Sequence, residues 1–201
     1  MLRGLTADPL GVLMRVIAVI IAITVHEFAH AKRAQLAGDP TPRQQGRVTL
    51  NPIAHLDPIG TLLLLLFGLG WGRPVQIDPR FFRKPRWDNL MVSAWGPLSN
   101  ILTAALFAVP FHVGLATGRQ DLLATIVAIN LLLAFFNLLP VYPLDGSHVV
   151  ENLLPPRSAT AFEQFSHRYG IILLLVVVLT PLGERLFIGP TLYVLRFLLG
   201  Y

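Results

Sequence analysis

Long apolar stretches alternate with short charged loops along this sequence, and their lengths predict a helical membrane protein. Three stretches reach the roughly 20 mostly apolar residues that a membrane-spanning helix needs. They lie at residues 10–34, 89–114 and 122–144. A further apolar stretch covers residues 170–182 and resumes at 186–199 after a polar interruption at Glu184 and Arg185. The pattern favours neither a helical hairpin nor a kinked pair for these last two pieces.

The apolar stretch from Ile59 to Gly72 is too short to be a further spanning helix. It has only about 14 residues, a length typical of a re-entrant or interfacial segment. Basic loops flank it on both sides. They contain Lys32, Arg33, Arg43 and Arg47 before it, and Arg73, Arg80, Arg83, Lys84 and Arg86 after it. Because basic loops favour the cytoplasmic side, the segment is predicted to enter the membrane and return to the same side.

This topology predicts the side on which the polar residues lie. The first spanning helix then ends in the cytoplasm, the second returns outward, and the third ends in the cytoplasm again. His26 and His30 lie near the cytoplasmic end of the first helix, and Asp145 follows the third. We therefore expect a multi-pass protein of the cell membrane with a site that opens toward the cytoplasm.

Composition agrees with a membrane protein. Hydrophobic residues make up 54% of the chain and charged residues 13%, against about 25% charged in soluble domains, and the mean hydropathy is +0.62. The net charge of +5 resides in short loops between apolar runs, which argues against a nucleic-acid partner. The chain has no cysteine, so any metal must be held by histidine and carboxylates. The length suits a single domain over residues 1–201. Together with the apolar stretches, it predicts an all-α membrane protein, a multi-pass helical bundle with a short re-entrant segment.

The first candidate chemical motif is His26-Glu27-Phe28-Ala29-His30. Residues four apart share a helix face, so both imidazoles can bind one metal ion, with Glu27 beside them as a general base. Two histidines and a carboxylate with an open fourth position are typical of catalytic zinc. The alternative is a polar cluster at the membrane boundary.

The second motif runs from Asn137 to Gly146, with the sequence Asn-Leu-Leu-Pro-Val-Tyr-Pro-Leu-Asp-Gly. Its two prolines break the helical hydrogen-bond ladder, and open backbone at membrane depth is tolerated where it lines a wet cavity. Asp145 is then the natural third metal ligand. A helix-terminal turn, with Asp145 bonded to local backbone, is the competing interpretation.

Together the two motifs resemble the site-2 protease family of intramembrane zinc metalloproteases. Two further segments are similar to that family, residues 96–100 (Gly-Pro-Leu-Ser-Asn) and residues 51–60 (Asn-Pro-Ile-Ala-His-Leu-Asp-Pro-Ile-Gly). The resemblance spans roughly residues 20–150 and implies a three-helix catalytic core and hydrolysis of peptide bonds in or near transmembrane segments of membrane protein substrates. It also implies Glu27 as base and one Zn²⁺ per chain. The implied zinc ligands are His26, His30 and Asp145. The chain looks like a compact member, since 201 residues leave no room for an added PDZ or cystathionine-synthase-type domain.

Other polar residues have more open roles. Asn137 and Asn100 are both candidates to stabilise the developing oxyanion, and each could equally form a helix-to-helix bond. We prefer Asn137 because its motif also carries Asp145. His148 is either a residue that orients a ligand or an interfacial histidine, and His55 is a cap or a gate element.

Three classes of function are consistent with these residues. Intramembrane proteolysis, with the lipid bilayer and a transmembrane protein substrate as partners, is the leading one. A metal transporter or metal-binding membrane protein is the second, although the chain has no internal repeat. The third is a proteolytically silent scaffold, against which the intact Glu27 argues. Homo-oligomers are compatible with all three.

Overall fold

The computed structural model describes residues 8–67 and 71–200, which fold almost entirely into helices. The longer helices are α1 (Pro9–Ala37), α2 (Pro58–Phe67), α3 (Pro85–His112), α4 (Gln120–Asn137), α5 (Asp145–Leu153), α6 (Pro156–Leu179) and α7 (Gly189–Leu199). Short helical turns occur at Thr41–Gln44, Pro52–Ala54, Pro79–Phe81 and Pro181–Gly183, and a π-helix at Glu184–Ile188. Within the described ranges the only β-pairing is an isolated bridge between Leu56 and Gly72.

Four helices, α1, α3, α4 and α6, are long and apolar enough to cross a membrane. This confirms the predicted class, an all-α membrane protein. The long apolar runs form helices because a segment without water must satisfy its backbone hydrogen bonds internally.

Helices α1, α3 and α4 pack against one another and form the three-helix core. Small residues line their contacts. Ala104 and Ala108 of α3 are buried against Val127 and Leu131 of α4, and Ala22 of α1 is fully buried. Without a hydrophobic driving force between helices in lipid, such small residues stabilise a bundle by allowing close backbone approach.

The third apolar stretch is shorter as a helix than the sequence predicts. Helix α4 ends at Asn137, and residues 138–144 form an irregular connection. Pro140 and Pro143 explain the break, because each removes a backbone donor and restricts the residue before it. Asp145 consequently does not end the apolar helix but begins a new one, α5.

The C-terminal region also differs from its prediction. Helix α6 begins at Pro156, well before the apolar run that starts near Gly170. A break at Thr180 separates it from the π-helix and α7, and α7 packs back against α4 and α3. The last two apolar pieces are therefore separate helices. Hydropathy located the apolar half of α6, but not its polar first turns.

The chain before α2 and the chain after it lie next to each other, at residues 55–56 and 72–73. The backbone N–H of Arg73 donates to the carbonyl of His55 at 2.8 Å, and Leu56 pairs antiparallel with Gly72. A Cβ atom at Gly60 would lie 2.2 Å from the Trp71 carbonyl oxygen, so the two ends of the segment are in contact. Ends that meet are what a re-entrant course requires, and the course itself remains a prediction.

Candidate metal centre

The two motifs meet at one point between α1 and the start of α5. Nε2 of His26 and Nε2 of His30 are 3.0 Å apart, one helical turn from each other on α1. Oδ2 of Asp145 lies 3.1 Å from Nε2 of His26 and 3.3 Å from Nε2 of His30. Both histidines are buried. Among the described residues, one group of side chains has ligand atoms close enough together to hold a metal ion. It consists of the three residues that the sequence predicts as ligands.

Gly146 allows Asp145 to reach the histidines. A Cβ atom at this position would lie 2.3 Å from the carbonyl oxygen of Leu138 and 2.4 Å from that of Leu139. Only glycine lets the first turn of α5 press against the backbone that leaves α4. The glycine of the second motif thus fixes where the neighbouring carboxylate sits.

Gly96 allows helix α3 to lie directly against the two imidazoles. A Cβ atom there would be 2.3 Å from Nε2 of His30 and 2.8 Å from Cε1 of His26. At Gly96 the face of α1 that carries His26 and His30 therefore approaches α3 closely. A larger residue at 96 would displace the imidazoles.

Hydrogen bonds to α3 determine which ring nitrogen of each histidine carries the proton. Nδ1 of His30 lies 2.9 Å from the carbonyl oxygen of Val92, which can only accept. Nδ1 of His26 lies 2.7 Å from Oδ1 of Asn100. Both Nδ1 atoms therefore donate, and both Nε2 atoms present lone pairs toward Asp145.

A buried amide chain fixes the orientation of Asn100. Its Nδ2 donates at 2.9 Å to the carbonyl of Ala22 and at 2.9 Å to Oδ1 of Asn130. Asn130 in turn donates at 2.9 Å to the carbonyl of Ile126, and both asparagines are fully buried. Asn100 is thus occupied in orienting His26. Asn130 was missed at the sequence level, although a lone asparagine in an apolar helix was a signal for it.

The donor set fits a zinc ion. Nε2 of His26 and Nε2 of His30 converge on Oδ2 of Asp145, a buried oxygen that makes no hydrogen bond of good geometry with a described residue. When both imidazoles are neutral, their lone pairs and the carboxylate repel one another unless a cation lies between them. Ligands about 2.0–2.2 Å from one zinc in a tetrahedron lie roughly 3.3 Å apart, close to the separations here.

Glu27 is not a member of the ligand cluster but lines the same cavity. Its Oε2 accepts a hydrogen bond of 3.0 Å from the backbone N–H of Val75 and lies 3.9 Å from Nη2 of Arg47. The carboxylate is therefore held by the polypeptide that follows the re-entrant segment. Sequence analysis treated Arg47 only as a topological marker.

A cavity of about 720 Å³ contains the metal centre. Its walls come from α1, α3, α4, α5 and α6 and from the extended residues 71–79. Polar side chains at its surface are His26, Glu27, His30, Asn89, Ser93, Asn137, Asp145, His148, Glu151, Glu163 and His167. The cavity is large enough for an extended peptide segment and for water.

The remaining candidates occupy different positions. Asn137 lines the cavity and donates at 3.0 Å to the carbonyl of Leu133 in its own helix. His148 also lines the cavity, with Nδ1 3.4 Å from Glu151. His55 is fully buried, and its Nε2 lies 2.8 Å from the carbonyl of Thr49.

Comparisons with known proteins identify the class. The family model described as Peptidase family M50 matches residues 112–177. The Bacillus subtilis protein named "Putative zinc metalloprotease YwhC" is 42% identical over 179 residues, which cover 84% of this chain and 81% of that protein. The Mycobacterium tuberculosis protein named "Putative zinc metalloprotease Rip2" is 30% identical over 205 residues, 94% of this chain and 76% of that protein. No solved structure matches the chain significantly.

The chain belongs to peptidase family M50, the site-2 protease family that its motifs predicted. The fold and the metal centre accordingly define a membrane-embedded zinc metalloprotease. The alternatives of a transporter and of a silent scaffold are not favoured.

Proposed function

We propose that this chain is a single membrane-embedded protease domain, residues 1–201, that binds one zinc ion per chain through Nε2 of His26, Nε2 of His30 and Oδ2 of Asp145. The convergence of these three atoms, two of them on buried histidines, is the observation that carries the proposal. Bound zinc supplies a Lewis acid that polarises the scissile carbonyl and lowers the pKa of water.

Glu27 acts as the general base. It follows a ligand directly in sequence, lines the same cavity and is absent from the ligand cluster. In this role the carboxylate takes a proton from the attacking water and passes it to the departing amine nitrogen, so that one water is added across one peptide bond. The Val75 N–H donates a hydrogen bond to this carboxylate within the cavity.

Asn137 stabilises the negative charge that develops on the peptide oxygen. One N–H of its amide is used by the Leu133 carbonyl, and the second is free to point into the cavity. A preorganised donor at such a position contributes to catalysis because it needs no reorganisation during the reaction.

The substrate is a transmembrane protein that unwinds locally, since a peptide bond inside a helix is shielded by its own turn. We further propose that the enzyme lies in the cell membrane with its cavity open toward the cytoplasm. The basic loops on both sides of the α2 segment support this orientation.

Paired variants test the site. Glu27→Gln is nearly isosteric and keeps the zinc ligands, so it is expected to retain zinc and helical content while its turnover falls by about 10²–10⁴-fold. The measurement is cleavage of a quenched-fluorescent peptide with one membrane-spanning segment, alongside zinc analysis of the purified protein. Near wild-type turnover in Glu27→Gln would show that another group is the base.

Asp145→Ala is the complementary variant and is expected to lose zinc and activity together. Its matched control is Glu151→Ala on the same helix, which should keep full zinc content because Glu151 lies outside the ligand cluster. Full zinc occupancy in Asp145→Ala would remove Asp145 from the site.

A further inference from the structure

Arg47 is a buried cation beside the proposed base. It lies in the loop after the Thr41–Gln44 turn, and only 4% of its surface is exposed. Burial lowers the pKa of its guanidinium below the ordinary value, while the nearby Glu27 carboxylate opposes that shift. Burying an arginine is costly unless it has partners, and it stays charged in proteins. The contacts of the Arg47 guanidinium therefore indicate its role.

Those contacts connect the base to the segment that covers it. Nη2 of Arg47 donates to the carbonyl of Arg73 and lies 3.9 Å from Oε2 of Glu27. Two residues after Arg73, the N–H of Val75 donates to the same Oε2 at 3.0 Å. Arg47 thus acts on the Glu27 oxygen in two ways. Its positive charge lies near the oxygen, and it holds the Arg73–Val75 backbone whose N–H binds that oxygen.

A second contact joins the same two pieces of chain. Nε2 of Gln45 donates to Oε1 of Gln76 at 3.0 Å, so the loop and the segment meet on both sides of Val75. The distance of 3.9 Å is too long for a hydrogen bond between Arg47 and Glu27. The guanidinium consequently acts on Glu27 through its charge and through the backbone that it holds.

We propose that Arg47 is a positioning residue, which fixes the Glu27 carboxylate by holding the Arg73–Val75 backbone across it. The proposal rests on the assignment of Glu27 as the base. A displacement of about 1 Å in a catalytic group can lower turnover by on the order of 100-fold, so a residue that fixes the base changes turnover more than substrate binding.

Three variants test this role with the peptide substrate described above. Arg47→Met removes the charge and the donor, and Arg47→Lys keeps the charge without the forked donor. The control, Arg43→Met, removes an exposed arginine from the preceding Thr41–Gln44 turn. We expect Arg47→Met to lower kcat by on the order of 10–100-fold while KM stays within about twofold. Zinc content should be unchanged, Arg47→Lys should recover part of kcat, and Arg43→Met should behave as wild type.

A labelling measurement follows the segment directly, because the chain has no natural cysteine. A single cysteine at Val75 should react with a maleimide several-fold faster in the Arg47→Met and Arg47→Lys backgrounds than with wild-type Arg47, and at the wild-type rate with Arg43→Met. If Arg47→Met does not fold, Arg47→Lys alone tests the proposal. A lowered kcat and faster labelling in Arg47→Lys would support it, and wild-type values of both would overturn it.

The outcomes separate this inference from the proposed function. Wild-type kcat and labelling in the Arg47 variants, with Glu27→Gln inactive in the same assay, would overturn the role of Arg47 alone. Loss of zinc together with kcat in both Arg47 variants would also overturn it, in favour of a purely structural role. Full activity of Glu27→Gln would instead refute the base assignment on which both depend.

Discussion

The two histidines of the metal centre are held by different kinds of group, one by a side chain and one by the main chain. Asn100 orients His26, whereas the carbonyl of Val92 orients His30. Acceptors of this kind fix the tautomer of a ligating histidine and raise its basicity. Because a carbonyl cannot be removed by substitution, His26 is the ligand whose support can be tested.

Asn100→Ala should weaken zinc binding by about 10–100-fold while Asp145 and both histidines remain. The measurement is competition for zinc with a chelator of known affinity. Thr103→Val on the same helix is the control, since that hydroxyl bonds only to the Ser99 carbonyl of its own helix. Equal zinc affinity in Asn100→Ala and the wild type would show that His26 needs no partner.

The proximity of the three proposed ligands could be predicted from the sequence because local rules apply to them. His26 and His30 share a helix face by their spacing alone, and Asp145 was reached through a motif. The contacts of Asn100 with His26 and of Arg47 with Glu27 cross 74 and 20 positions of sequence. Such contacts depend on how helices and loops pack, which no local pattern encodes.

At the scale of elements, two loops are joined at the end of α1. Oδ1 of Asp39 accepts from the N–H of Thr41, and Oδ2 accepts from the N–H of Asp78 at 2.8 Å. Asp39 is fully buried, so the loop before α2 and the loop after it are held together. We therefore expect both loops to lie on the same side of a membrane.

Single cysteines test that arrangement. Cysteines that replace Arg43 and Arg83, both exposed, should react with a membrane-impermeant maleimide from the cytoplasmic side only. A cysteine at Arg119, in the exposed loop between α3 and α4, is the control and should react only from outside. Labelling of Arg43→Cys and Arg83→Cys from opposite sides would mean that the α2 segment crosses the membrane.

Element boundaries were predicted well where apolarity and helix coincide. The first two long runs match α1 and α3 to within a few residues. The prediction failed at residues 138–144, where apolar residues continue without a helix, and at residues 156–169, where a helix runs through a mostly polar stretch. Hydropathy reports which environment a residue prefers, whereas prolines and helix-forming residues determine where the backbone is helical.

At the scale of the whole molecule, the three-helix core positions the site without depending on a metal. Buried alanines and the Asn100–Asn130 bond join α1, α3 and α4. The histidines are oriented by this packing, and Asp145 is brought to them by the contact of α5 with the end of α4. The site should therefore be largely preformed.

Removal of zinc by a chelator should abolish peptidase activity and leave helical content unchanged by circular dichroism. The melting temperature should fall, because a ligand that binds only the folded state stabilises it. Addition of Zn²⁺ should restore both activity and melting temperature, and dialysis without chelator is the control. Loss of helical structure on chelation would contradict a preformed site and would make the metal part of the fold.

Helix α2 has a consequence for the lipids around the protein. Its 10 residues extend about 15 Å, half of a hydrocarbon core that is roughly 30 Å thick. In the predicted re-entrant course the segment, whose two ends lie side by side, would displace acyl chains from one leaflet and leave the opposite leaflet filled with lipid. At this segment the protein would then occupy more area in one leaflet than in the other. Deforming a bilayer around an ill-matched surface costs free energy, so such a wedge would favour membranes that curve toward the leaflet with the smaller cross-section.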